Sequence, residues 1–176
     1  ENYEQPSLPE GAAGDVIKGL YCLSRHAATV TATPPRGRVR LVGSGTILRE
    51  VMAAAELLAG DWQVDAEVWS ATSFSELARD AREVERHNRL HPQDTPRQSH
   101  LAQCLGGSTD PVVAATDYVR AWPQLIGSHL HAPFTALGTD GFGRSDTRAA
   151  LRRFFEVDRH QVVLAALTAL REQGRV

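Results

Sequence analysis

VRLVGSGTILREVMAAAELLAGDWQVDAEVW (39–69) decides the fold class. Val39 to Gly43 is a short, β-branched run of strand type. Ser44 and Gly45 make a tight turn. From Thr46 to Ala59 the apolar residues Ile47, Leu48, Val51, Met52, Ala55 and Leu58 recur at helical spacing, and Gly60 is read as the stop. Val64 to Trp69 then alternates as a second strand. Strand, helix and strand at this spacing make a βαβ unit, which requires a parallel sheet.

The pattern continues on both sides. Ser73 and Glu76 form a capping box for a long helix through Arg89. Five arginines between Arg79 and Arg97 balance five acids between Glu76 and Asp94, which gives a solvated face. Pro111 to Thr116 is an apolar run of buried-strand type, after which Asp117 is read as the cap of a helix to about Leu125. Phe134 to Gly138 is a further strand, Thr139 to Asp146 a loop, and Thr147 to Phe155 a short helix. Asp158 and Gln161 cap the last helix, and Gly174 stops it. Gln98 to Leu105 is weakly strand-like, an expected antiparallel edge. Upstream, residues 25–38 are Ala/Thr/Pro-rich and read as a surface loop, and Asp15 to Ser24 as a helical turn running into a strand. Pro6, Pro9, Gly11 and Gly14 make residues 1–15 an extended arm. The expectation is a three-layer α/β/α domain over 16–176, with a mostly parallel sheet of about five strands and one possible antiparallel edge strand.

Composition narrows the function. The 176 residues suit one domain with a core of its own. Nineteen basic against 21 acidic residues leave a net charge of −2, without the basic surplus of a nucleic-acid binder. No apolar run reaches the ~20 residues that span a bilayer. The opening ENYEQPSLPEGAAGD is acidic and lacks an apolar stretch, so no secretory signal is read there. The chain does not begin with Met, as a fragment or processed product would not. Two cysteines, Cys22 and Cys104, exclude a disulfide scaffold.

Chemical motifs are sparse. Gly43-Ser44-Gly45 invites a dinucleotide reading, but Leu48 stands where the third glycine belongs, and no acid closes the second strand. His87 and His91 share a helix face at zinc-like spacing, with His100 and Cys104 downstream, but no further ligand stands in register. Cys104 lies in an apolar stretch, where an inert buried thiol is the ordinary state. The distinctive feature is GTDGFGRSD (138–146), which joins a strand end to a helix start. Its glycines allow sharp backbone paths, Asp140 can bond loop amides, and Ser145 or Asp146 can cap the helix. Strand C-terminal ends are where ligands or partners dock, and Ser73 and Asp117 belong to the same edge. Asp140, Phe142, Arg144 and Asp146 are the interface candidates; the alternative is a structural turn with Phe142 packed inward.

ENYEQPSLPEG (1–11), LVGSGTILREV (41–51), VWSATSFSELARD (68–80), VVAATDYVR (112–120), GTDGFGRSDTR (138–148) and LRRFFEVDRHQVVLAAL (151–167) occur in the order seen in one family. The chain resembles the C-terminal, transketolase-C-like domain of the homodimeric, thiamine-dependent pyruvate dehydrogenase component of the bacterial pyruvate dehydrogenase complex. The resemblance implies a cytoplasmic enzyme that decarboxylates pyruvate and passes the acetyl group to the lipoyl arm of a dihydrolipoyl acetyltransferase. It implies thiamine diphosphate and Mg²⁺ bound between N-terminal and middle domains that lie outside this chain. It therefore places no catalytic, cofactor or metal residue here, and it makes the expected partners those two domains, a homodimer mate and the acetyltransferase core. The chain departs from the family pattern in its longer 25–37 loop, in His87 where Trp is usual, in Ser99-His100 before Leu101, and in stopping at Val176. The competing function is a stand-alone α/β binding or regulatory module with a nucleotide-like site at Gly43–Gly45.

Overall fold

The computed structural model describes residues 2–29 and 35–176. Its elements run α1 (Ala13–Lys18), β1 (Leu20–His26), β2 (Gly37–Gly43), α2 (Leu48–Asp61), β3 (Val64–Ala71), α3 (Phe74–Leu90), α4 (His100–Leu105), β4 (Val112–Val119), α5 (Ala121–Gly127), β5 (Phe134–Thr139), α6 (Arg148–Phe154) and α7 (Arg159–Glu172). A single 3-10 turn, Gly45–Ile47, joins β2 to α2.

The sheet order is β1-β3-β2-β4-β5. β2 pairs in parallel with both β3 and β4, and β4 with β5; β1 closes the edge antiparallel to β3. The five-stranded, mostly parallel sheet is the expected architecture. Period-two alternation feeds two cores. Val39 and Leu41 of β2 with Val113 and Ala115 of β4 pack on α2 and α7, against Val51, Leu58, Val162 and Leu170. Val42, Val112 and Ala114 face the other way, onto Leu77, Leu101 and Ile126 of α3, α4 and α5. Chain connections leave the central β2/β4 pair in opposite directions, so their C-terminal ends form the switch point of the sheet.

The capping expectations hold at both long helices. The Ser73 hydroxyl accepts from the Glu76 amide at 3.2 Å, and Asp158 Oδ1 accepts from the Gln161 amide at 3.0 Å. Gly174, at φ 69°, ends α7 in the left-handed conformation.

Several expectations need correction. Gln98 to Leu105 is no strand: α4 begins at His100, with the Ser99 hydroxyl accepting from the Ala102 amide at 3.2 Å, and the antiparallel edge is β1. The expected arm over 1–15 is shorter, because the helix already starts at Ala13. Gly60 lies inside α2, which Trp62 caps; Gln63 makes the reversal at φ 58°. Asp117 caps nothing, because β4 runs through it and α5 starts after Arg120 without a side-chain cap. Thr147, rather than Ser145 or Asp146, caps α6. β1 and β2 trim the expected 25–38 loop to residues 27–36, of which 30–34 lie outside the described residues.

Candidate functional site at the sheet's C-terminal edge

The C-terminal ends of β2, β4 and β5 open onto one surface. Ser44 extends the β2/β4 ladder, its amide 3.2 Å from the Ala115 carbonyl, and its hydroxyl donates to Thr116 Oγ1 at 2.8 Å. Beyond it Gly45 turns at φ 57°. A Cβ built there would stand 2.7 Å from Asp117 Oδ1, so the carboxylate leans over the turn, and the Thr46 hydroxyl donates to its Oδ2 at 3.1 Å. This seat explains why Asp117 stays in the strand. It also counts against a nucleotide at Gly43–Gly45: a carboxylate occupies the approach that a phosphate needs, and the chain enters a 3-10 turn there. Gly45→Ala is expected to cost about 1–2 kcal/mol, from strain at positive φ and displacement of Asp117. Denaturant melts of Gly45→Ala, Asp117→Ala and the double variant check the cause. If the carboxylate is the obstacle, the double variant loses less than the sum; strict additivity would overturn it.

β4 and β5 close on each other beyond the switch point. Gly138 has Arg120 Cα 2.8 Å from its would-be Cβ, and the Arg120 amide donates to the Thr139 carbonyl at 2.9 Å. Arg120 Nη2 reaches Asp140 Oδ2 at 2.6 Å. Asp140 thus ties two strand ends together by its side chain. Arg144 places its guanidinium 4.2 Å over the Phe154 ring, and Asp146 Oδ1 accepts from the Thr147 amide at 2.6 Å. Phe142 is 96% exposed, so the inward-packed alternative fails. The loop is held at both ends and presents a bare aromatic ring at its tip.

Tyr118, Val119 and Trp122, at 66%, 44% and 40% exposure, extend this surface across the end of β4 and onto α5. Sequence reasoning passed over them, because the apolar run through Thr116 reads as interior and does not mark where burial stops. Tyr118 and Trp122 line a crevice of about 470 Å³ that reaches Ser73 and Asp117, so those two residues do share the edge.

The histidines are not brought together as a metal centre. His87 and His91 lie on one face as expected, with ring centroids 4.5 Å apart. His100 is buried: its Nε2 lies 2.8 Å from the Leu20 carbonyl oxygen, and its amide donates to Asp80 Oδ2 at 2.7 Å. Cys104 Sγ sits 3.5 Å from His100 Nε2, and burial pushes its thiol up to about 11, which leaves it protonated and unreactive near neutral pH. Among the described residues, no three His, Cys, Asp or Glu side chains converge on a metal position, and no helix is long and apolar enough to cross a membrane.

Comparison with known proteins agrees with this architecture. The chain is 51% identical to the pyruvate dehydrogenase E1 component of Cupriavidus necator, over all of its residues and 19% of that protein. It is 46% identical to the Escherichia coli E1 component, again over its full length and 19% of that protein. It thus spans about a fifth of the relatives it matches. Among solved structures, transketolase from Campylobacter jejuni superimposes with a TM-score of 0.56 at 18% identity, over 92% of this chain and 20% of that one. Transketolase from Leishmania mexicana gives 0.55 at 19% identity, over 93% and 20%. Residues 19–158 match the family described as the transketolase-like TK C-terminal domain, and the chain belongs to that family.

Proposed function

We propose that the chain acts as the C-terminal domain of a thiamine-dependent, homodimeric pyruvate dehydrogenase. That cytoplasmic enzyme oxidatively decarboxylates pyruvate and transfers the acetyl group to the lipoyl arm of a dihydrolipoyl acetyltransferase. The observation that carries this reading is the end-to-end identity of 51% with an E1 component, against 18–19% with transketolases of the same fold. Within that enzyme the domain serves assembly. Its sheet edge offers exposed Phe142 beside Asp140, Arg144 and Asp146, an aromatic anchor with charged flanks suited to a seam with another domain, the dimer mate or the acetyltransferase core.

The residues present do not fit thiamine diphosphate with Mg²⁺. Mg²⁺ bound with a diphosphate needs carboxylate or carbonyl oxygens beside an open phosphate-binding turn. Here the Gly45 turn is covered by Asp117, whose Oδ2 already accepts from Thr46. No step of the reaction is therefore assigned to this chain, and the segment ahead of α1 serves as an arm toward the preceding domain.

Calorimetry of the 176-residue chain with thiamine diphosphate and Mg²⁺ is expected to give no binding heat, and pyruvate no CO₂. The polypeptide encoded by the whole reading frame should bind the cofactor and decarboxylate pyruvate. Micromolar binding by the chain alone would overturn the assignment of the site to other domains. A whole polypeptide inactive on pyruvate yet active on a different 2-oxo acid or a sugar phosphate would overturn the substrate.

A further inference from the structure

A second crevice of about 410 Å³ lies behind the loop 138–146, away from Phe142, and shares only Arg144 with the seam candidates. Its volume is in the range of small-ligand pockets, and it sits outside the C-terminal ends of parallel strands. Ile47, Leu151, Phe155 and Val157 form its apolar lining, while Arg144, Arg148 and Arg152 bring positive charge to it. Arg148 and Arg152, four residues apart on α6, share a helix face.

The three arginines are not equivalent. Arg152 is held by Glu50 Oε1 at 3.1 Å, and Arg144 lies over Phe154. Arg148 has no ion pair or side-chain hydrogen bond among the described residues. Among the exposed arginines Arg79 binds Glu76 and Glu83 and Arg120 binds Asp140, whereas Arg148 stands at the mouth of an apolar crevice without a bound carboxylate. A guanidinium left unengaged beside an apolar lining is equipped to fork onto a phosphate, whose oxygens match its donors. Asp117, with Thr46 and Thr139, also lines the crevice and repels a second anionic group. A fitting ligand carries its charge at one end only.

We propose that this crevice binds a small organic phosphate, with the phosphate on Arg148 and Arg144 and a flat apolar body over Leu151 and Phe155. A phosphorylated protein side chain fits less well, because its short stem leaves the apolar lining uncovered.

The probe is 1-naphthyl phosphate, titrated into the 176-residue chain by calorimetry beside inorganic phosphate and 1-naphthol. Saturable one-to-one binding is expected, at least ~10-fold tighter than with either part alone. Arg148→Ala should weaken it ~10-fold or more without moving the melting temperature, since the side chain is exposed and unpaired. Phe142→Ala should leave it unchanged. No saturation, equal binding of 1-naphthol, equal binding of inorganic phosphate, or indifference to Arg148→Ala would each overturn the proposal. So would a phosphoserine peptide that binds more tightly than the naphthyl ester.

Discussion

Glu50→Gln is expected to lower the stability of the chain by about 3 kcal/mol, the range for removing one partner of a buried ion pair. Glu50 sits on α2 at 6% exposure and gathers the corner between α6 and α7. Its Oε2 accepts from the Arg159 amide at 3.1 Å and from Arg159 Nε at 2.9 Å; its Oε1 accepts from Arg159 Nη2 at 3.2 Å and from Arg152 Nη1 at 3.1 Å. The carboxamide of the variant can keep one acceptor oxygen but turns its N–H donors toward two guanidinium groups. Arg152, with a side chain 18% exposed, would lose this carboxylate in a largely buried place, while Arg159, at 45%, can rehydrate, so the loss stays below the top of that range. For a chain of this size the melting temperature should fall by about 6–12 °C. A fall under ~2 °C would mean that the corner is held by the packing of Val157 and Val162 alone.

The pH dependence of the same pair carries a sign. Burial pushes the Glu50 carboxyl up, but the Arg159 hydrogen bonds and the charges of Arg159 and Arg152 outweigh it and hold the group below its ordinary value. A carboxylate with a depressed folded pKa contributes stability that is complete above the unfolded value, about 4.3, and is lost as pH falls through the folded one. The gap between native and Glu50→Gln chains should be full at about pH 7 and narrow below about pH 4. A gap that widens on acidification would contradict the clamp.

How much of this was legible follows from where local and tertiary signals agree. In α2 helical spacing marks the element, while α3 and α7 are marked by their cap pairs, Ser73 with Glu76 and Asp158 with Gln161, which the structure keeps. Asp117 shows the opposite case. An Asp ahead of a helical stretch is an ordinary cap signal, but here it is bonded to Thr46, 71 residues away, and nothing local marks that partner. Gln98 to Leu105 is too short to separate helix from strand by period; the useful signal was Ser99 at the cap position. The glycines of 138–146 exposed the loop as a candidate, whereas the Arg120–Asp140 tie and the bare Tyr118 and Trp122 depend on how β4 and β5 register, which no local pattern encodes.

Phe142→Ala is expected to separate assembly from folding. At 96% exposure the ring contributes little to the stability of this chain, so the melting temperature should move by no more than about 2 °C, as for an ordinary surface substitution. In the whole enzyme the same change should weaken the dimer or its capture by the acetyltransferase core by ~30-fold or more, because a buried aromatic anchor at a seam contributes about 2 kcal/mol or more. Arg144→Glu adds a charge test at the same loop. Its guanidinium leans on the Phe154 ring, a contact worth about 0.5–1 kcal/mol at an exposed site, so the isolated chain should lose no more than that. Reversal of the charge at a seam should mainly slow association and make it more sensitive to salt. Sedimentation of the whole enzyme and titration against the acetyltransferase core read the two interfaces separately, and a loss at only one identifies which partner meets the loop. Unchanged assembly in both, with full activity, would leave Phe142 a solvent-facing ring and remove the seam from this edge of the sheet.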